Sequence, residues 1–176
     1  MIHEDLIYAL TGYVKSLDDA RKIFSKKQGV GPTPSGFYSV EGLVLKYGCA
    51  MAVSTEWLRR GPMKMCFMNA QIRAIANNLR YCEGYALREP VPLPVIHAWC
   101  LDRSGNVVDP TWQDTKRQIR KGAPTRRAYY GIIIDTDYML KRMEETNEHR
   151  SMIDDFPTYP LLNERGLIKK VVIPCR

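Results

Sequence analysis

Three side chains between Met65 and Trp112 could together cleave an acyl bond: Cys66, His97 and Asp109. A thiol supplies the nucleophile, an imidazole takes and returns its proton, and a carboxylate fixes the imidazole's tautomer and stabilises its cation. Each has an ordinary explanation when taken alone: a small buried cysteine, a satisfied core histidine, an Asp-Pro turn opening. Their order, and the local elements around each, point to a Cys-His-Asp site.

Those elements must position them. Gly61-Pro62 breaks the chain ahead of Cys66, and Met68, Ile72, Ile75 and Leu79 then recur at helical spacing, with Ala76 beside them. This predicts a helix beginning near Cys66 with one apolar stripe. The thiol then sits among unpaired backbone N–H groups at the positive end of the dipole, the setting in which cysteine nucleophiles occur, with Lys64 nearby in sequence. Val95–Leu101 and Asn106–Asp109 read as strands around the turn residues Asp102–Gly105. If Leu101 pairs with Gly105, Cys100 faces Asn106 and His97 faces Asp109, on one face with Cβ atoms about 5 Å apart. A shorter loop would turn the two side chains to opposite faces.

At these residues the sequence resembles the transglutaminase-like superfamily, a branch of the papain-like cysteine enzymes. The resemblance is carried by Cys66 with Ala70 behind it, by Glu83-Gly84-Tyr85-Ala86, by His97-Ala98-Trp99 and by Val108-Asp109-Pro110-Thr111-Trp112. It covers Met65–Trp112; the residues ahead of the cysteine fit less well, and no family pattern shows elsewhere. It implies an α+β fold with a papain-like core, in which a central helix carrying the cysteine packs on an antiparallel sheet carrying His97 and Asp109. It also implies acyl transfer through a thioester, as a peptidase, an amidase or an amine transferase, with no metal and no organic cofactor. The superfamily includes deglycosylating relatives and members that have lost catalysis. Arylamine N-acetyltransferases share the triad order, and Cys66-Phe67-Met68-Asn69 is distantly similar to their cysteine segment, although the run after His97 fits less well. By analogy Glu83 stands near the site. Trp57, on a short helix expected over Ser54–Arg60, and Trp99 and Trp112, which flank the triad in sequence, are the other candidates for a substrate-groove wall. For a tryptophan the core is the rival location.

Composition bounds the rest. With 176 residues, 45% hydrophobic and 26% charged, the chain has the makings of a globular domain, expected as one unit over 1–176 with its core at about 54–135. No apolar run approaches the roughly 20 residues of a transmembrane helix, and Met-Ile-His-Glu-Asp has neither the basic nor the apolar region of a signal peptide. Five cysteines without a Cys-x-x-Cys pair predict neither a disulfide framework nor a zinc site. Cys49, Cys82, Cys100 and Cys175 then read as buried hydrophobes, and the cytoplasm is the default compartment. The net charge is +7, and basic residues cluster at Lys116, Arg117, Arg120, Lys121, Arg126 and Arg127. Such a run can track a nucleic-acid backbone but is more often a solvated face, and no nucleic-acid-binding motif accompanies it. A protein or peptide substrate is therefore favoured. The alternatives are a small-molecule N-acyltransferase using an acyl-CoA, or a silent scaffold that binds peptide or nucleic acid.

Elsewhere, helices are expected over Asp5–Leu10 and Ser16–Lys27, the second capped by Ser16 and apolar at Leu17, Ala20, Ile23 and Phe24. Gly29–Gly36 is a loop without the Gly-Lys-Ser/Thr of a phosphate site, and Phe37–Ala52 is open between strand and helix. Tyr81–Leu87 reads as a strand with Glu83 towards its irregular end, followed by a stiff connector at Pro90, Pro92 and Pro94. Ala128–Ile134 is a buried strand expected beside the His-Asp hairpin, Thr136–His149 a helix, and Lys169–Ile173 an edge strand.

Overall fold

The computed structural model describes residues 2–175 apart from 55–58, 116, 117, 119–121 and 123. The chain opens with α1 (Glu4–Lys27), a single helix where two were expected. Ser16 does not cap anything; its hydroxyl bonds back to the Gly12 carbonyl inside the helix. The buried stripe is Leu6, Leu10, Val14 and Asp18, each four residues on, while Ile23 and Phe24 face solvent. Asp18 tolerates burial because it accepts from Ser39 Oγ at 2.8 Å and pairs with Lys22. Ser39 in turn caps α2 (Val40–Tyr47), which leads into β1 (Cys49–Ala50).

After α3 (Cys66–Asn77) come β2 (Arg80–Arg88), β3 (Val91–Leu101), β4 (Val107–Val108) and β5 (Arg127–Ile134). Then follow α4 (Thr136–Thr146), α5 (Pro160–Asn163), α6 (Leu167–Val171) and β6 (Val172–Ile173). The architecture is α+β: helices on an antiparallel sheet ordered β1-β5-β2-β3-β4, with β6 also on β5. β5 therefore lies beside β2, not beside the His-Asp hairpin, and the predicted C-terminal strand is mostly helix. Pro92 and Pro94 belong to β3 rather than to a connector. They fall where the β2–β3 register shifts, between the pairs Arg88↔Val91 and Ala86↔Val95. A residue without an N–H costs little at such a break.

Alternation divides the sheet into two faces. Tyr81, Tyr85, Ala98, Cys100, Ile132 and Ile134 join the helices in the larger core; Cys82, Ala86, Trp99, Leu101, Tyr129 and Ile133 form a smaller one with Met51 and Val107. Gly131 makes room for Trp99, since a Cβ there would press on the indole's Cη2 at 2.6 Å. Cys49 and Cys175, read from sequence as buried hydrophobes, form a disulfide that ties β1 to the chain beyond β6. Among the described residues no helix is long and apolar enough to cross a membrane.

The face α3 turns to the sheet differs from the expected stripe. Asn69, Ala70, Gln71 and Ala74 are buried, whereas Ile72 and Ile75 are 44% and 48% exposed. Small alanines let the helix approach closely enough for Cys100 Sγ to reach the Ala70 carbonyl at 3.2 Å. Gln71 can be buried because it donates to Tyr81 Oη and the Arg150 carbonyl and is bonded to His149 Nδ1. Replacing Ala70 with Leu should destabilise the protein by about 1–3 kcal/mol through overpacking. Ile72→Ser should cost less than about 1 kcal/mol; urea unfolding of the two variants tests which face is buried.

Candidate active site

Cys66 stands at the first position of α3, behind Met65, which provides no side-chain cap. The opening N–H groups of that helix have no partner within it. What fixes this turn is Asn69, one helical step along on the same side. Its amide donates to the Pro62 carbonyl at 2.7 Å and to Thr111 Oγ1 at 2.9 Å. It thus ties the helix start to the segment before it and to the loop that follows Asp109. Gly61 donates its N–H to the Pro110 carbonyl at 2.8 Å, completing the tie, and any Cβ at Gly61 would overlap Asn69 Oδ1. Asn69→Ala removes both bonds and leaves the Pro62 carbonyl and the Thr111 hydroxyl unpaired. It should cost about 1–3 kcal/mol in urea unfolding.

The hairpin brings His97 and Asp109 together, though not in the expected register. Cys100 pairs with Val108 and Leu101 with Val107, and the loop is closed by Asp102 N–H on the Asn106 carbonyl at 2.9 Å. Asp102 Oδ1 also accepts from Asn106 N–H, and Gly105 takes the positive φ of 84° that this turn requires. The expected pairing of Cys100 with Asn106 is therefore displaced by two residues. A slip of two preserves the face, so continuing the ladder sets Asp109 opposite Trp99, one alternate position from His97. The diagonal is short enough for His97 Nε2 to lie 2.7 Å from Asp109 Oδ2.

Asp109 is buried with its acceptor capacity filled. Oδ2 takes Nε2 of His97 and the Tyr129 hydroxyl at 2.8 Å; Oδ1 takes Thr111 N–H at 2.7 Å and Trp112 N–H at 2.9 Å. Trp112 then stacks on the His97 ring with centroids 4.0 Å apart and planes 16° from parallel. The buried ion pair of Arg127 with Asp114, at 2.6 Å, and a 2.7 Å bond from Arg127 to the Trp112 carbonyl hold that segment in place.

With Nε2 committed to Asp109, Nδ1 is the ring nitrogen left for another partner, and the Cys66 side chain lies near enough to help raise the imidazole's pKa. Cys66 packs against the larger core, while His97 shares its face with Trp99 and Tyr129. Two such groups meet only around a strand edge. β3 has one, because among the described residues β4 pairs with it only at Cys100 and Leu101.

Burial alone would strip His97 of its proton, but the charge and hydrogen bond of Asp109, with Cys66 adding to both, lift its pKa from 6.5 to about 9. Burial likewise opposes the Asp109 charge. The His97 cation, its hydrogen bond and the two backbone N–H groups prevail, and the carboxyl is held below its ordinary value. Burial and the Asp109 charge push the Tyr129 hydroxyl well up, so it stays a donor. The raised His97 value contributes stability that is complete below about pH 6.5 and lost as pH rises through about 9. The depressed Asp109 value contributes above about pH 3.9 and is lost in acid. The stability advantage of wild type over His97→Gln should therefore be greatest at pH 5–6.5 and shrink towards pH 9, as read by urea unfolding across pH.

Among the described residues expected to wall a groove, Trp112 alone is both at the site and partly exposed, half-buried over His97. Trp57 lies outside the described residues. Trp99 is a core residue, fully buried with Nε1 on Met51 Sδ at 3.2 Å, and lines no groove. Glu83 is not at an irregular end but mid-strand and fully buried. Burial raises its pKa, and it is satisfied by Tyr81 Oη, Ser151 Oγ and the N–H groups of Met152 and Ile153. It anchors the 151–153 segment to β2 and contacts no open surface.

The parts that Asn69, Thr111, Tyr129 and Arg127 play at the site escaped the sequence reading, which placed Arg127 only in the basic run. Asn69 had one signal, a polar residue one helical step from the cysteine; Tyr129 had none, since its contact depends on sheet order. Of the basic run, Arg127 is buried on Asp114 and Arg126 is bonded to Asp5 and Glu89, so neither is free for a polyanion. The other four residues of the run lie outside the described residues. Comparison of the chain with family models, curated proteins and solved structures finds no match.

Proposed function

We propose that this protein is a cysteine acyl-transfer enzyme with a papain-like, transglutaminase-like core, acting on a protein or peptide carboxamide or peptide bond. The observation that carries the reading is the buried His97–Asp109 pair at 2.7 Å, with Cys66 at a helix start acting on the same imidazole.

In the first step Cys66 Sγ attacks the carbonyl carbon, forming the C–S bond and placing the negative charge on the oxygen. The unpaired N–H of Cys66 is suited to donate to that oxyanion. Collapse breaks the C–N bond, the leaving amine takes its proton from His97, and a thioester remains. In the second step water or an amine attacks the thioester while His97 accepts its proton, the C–S bond breaks, and the thiolate and imidazolium are restored. Asp109 stays ionised throughout and holds Nδ1 towards sulfur. The reaction draws on no metal or organic cofactor. For the compartment, the Cys49–Cys175 disulfide favours oxidising surroundings over a reducing cytoplasm.

Iodoacetamide alkylation followed across pH by peptide mass spectrometry tests the site. Cys66 should label selectively over the other free cysteines, Cys82 and Cys100. That reactivity should fall at least about tenfold in His97→Ala. If Cys66 reacts no faster than the buried Cys82 and Cys100, the acyl-transfer reading fails.

A further inference from the structure

On the His97 face, Val91, Leu93 and Val95 remain 63%, 58% and 37% exposed, although all three belong to a strand paired with β2. They line one cavity of about 430 Å³ together with Trp112, whose indole also stacks on the His97 ring. The apolar wall is therefore continuous with the imidazole. Its size falls in the range of ligand sites, about 300–1,000 Å³. Aliphatic side chains left open along one strand, next to an edge that β4 covers only at Cys100 and Leu101, match the spacing of an extended chain rather than a flat ring system.

The polar rim of the cavity has a sign. Arg88 and Glu89 both line it, but Glu89 is taken up by Arg126 at 2.9 Å, and among the described residues no carboxylate pairs with Arg88. Gln118 and Thr125 supply neutral hydrogen-bonding groups to the lining. Electrostatic complementarity then favours an acidic ligand. A nucleic acid would meet the charge but not the aliphatic strip, where among the described residues Trp112 is the one aromatic platform in the wall.

We infer that this cavity is the substrate-recognition subsite of the proposed enzyme, and that it takes an extended peptide with apolar side chains at alternate positions and an acidic residue beside them. The inference rests on the acyl-transfer reading only for the consequence of binding, not for binding itself. The apolar side chains seat on Val91, Leu93 and Val95, the acid meets Arg88, and the chain runs past Trp112 towards the imidazole.

The test uses the full-length Cys66→Ala protein, which binds without turnover, and fluorescence polarisation of labelled peptides. One peptide alternates Leu and Ser and ends in two Asp; a second ends in two Lys; a third has the composition of the first with its leucines adjacent. A single-stranded oligonucleotide is the fourth probe. The acidic alternating peptide should bind at least about tenfold tighter than the other two peptides. Leu93→Asp should abolish that preference, and Arg88→Glu should reverse the Asp-over-Lys order. Both side chains are at the cavity surface, so each variant folds; circular dichroism confirms it. Equal binding of the acidic and basic peptides, indifference to both substitutions, or tighter binding of the oligonucleotide overturns the inference. Cys66 alkylation in the wild type is scored separately. Labelling without peptide discrimination refutes the subsite alone, and discrimination without labelling refutes the chemistry alone.

Discussion

A carboxylate removed from water keeps its charge only if neighbours replace the hydration it has lost, and Asp109 is placed where four donors do so. The rest of the site follows from that requirement. Two of the donors are backbone N–H groups of the turn that follows β4, so the carboxylate itself shapes the loop that carries Thr111 and Trp112. The third is Tyr129 from β5, two strands away from β3 in the sheet. The fourth is the imidazole, which is thereby fixed in one orientation. Loss of any donor would leave a buried charge short of partners, and the ring would lose its reason to stay in place.

The loop closed by Asp109 also reaches the helix. Thr111 is shared between Asp109, which accepts its N–H, and Asn69, which donates to its hydroxyl. Cys66 and Asp109 do not touch, yet they are coupled through two residues of ordinary chemistry. Close packing of Ala70 and Ala74 on the sheet sets the depth of α3, and Asn69 sets where its first turn begins. Arg127 and Asp114 brace the same loop from the far side, and the indole of Trp112 is the result: one ring pressed against the imidazole and exposed to the cavity beyond it.

The approach of Cys66 and His97 from opposite faces of one sheet depends on where the sheet ends. β4 is two residues long and covers only the last pairs of β3, so the strand's earlier part has an edge around which Cys66 and His97 can meet. A longer β4 would bury that edge and separate them. The same shortness leaves the aliphatic row from Val91 to Val95 open along the route to the imidazole.

Local rules were enough for several features. Gly61-Pro62 fixed where α3 starts, the apolar run Ala128–Ile134 marked β5, and Asp102–Gly105 marked the turn, because each depends on residues adjacent in the chain. The pairing of His97 with Asp109 was legible for a subtler reason: a register error of two leaves side chains on the same face. Long-range choices were not legible. Helical spacing nominated Ile72 and Ile75 for the core, but the sheet accepted the alanine face because it allowed closer approach and because Asn69 and Gln71 found partners distant in sequence. Glu83 and Trp99 were drawn inward by groups on other elements, the 151–153 segment and Met51. Cys49 and Cys175, 126 residues apart, could be recognised as partners only once β1 and β6 lay on the same strand. Sequence periodicity determined which residues share a face; which face was buried, and what each buried polar group would meet, was decided by contacts that only the folded chain creates.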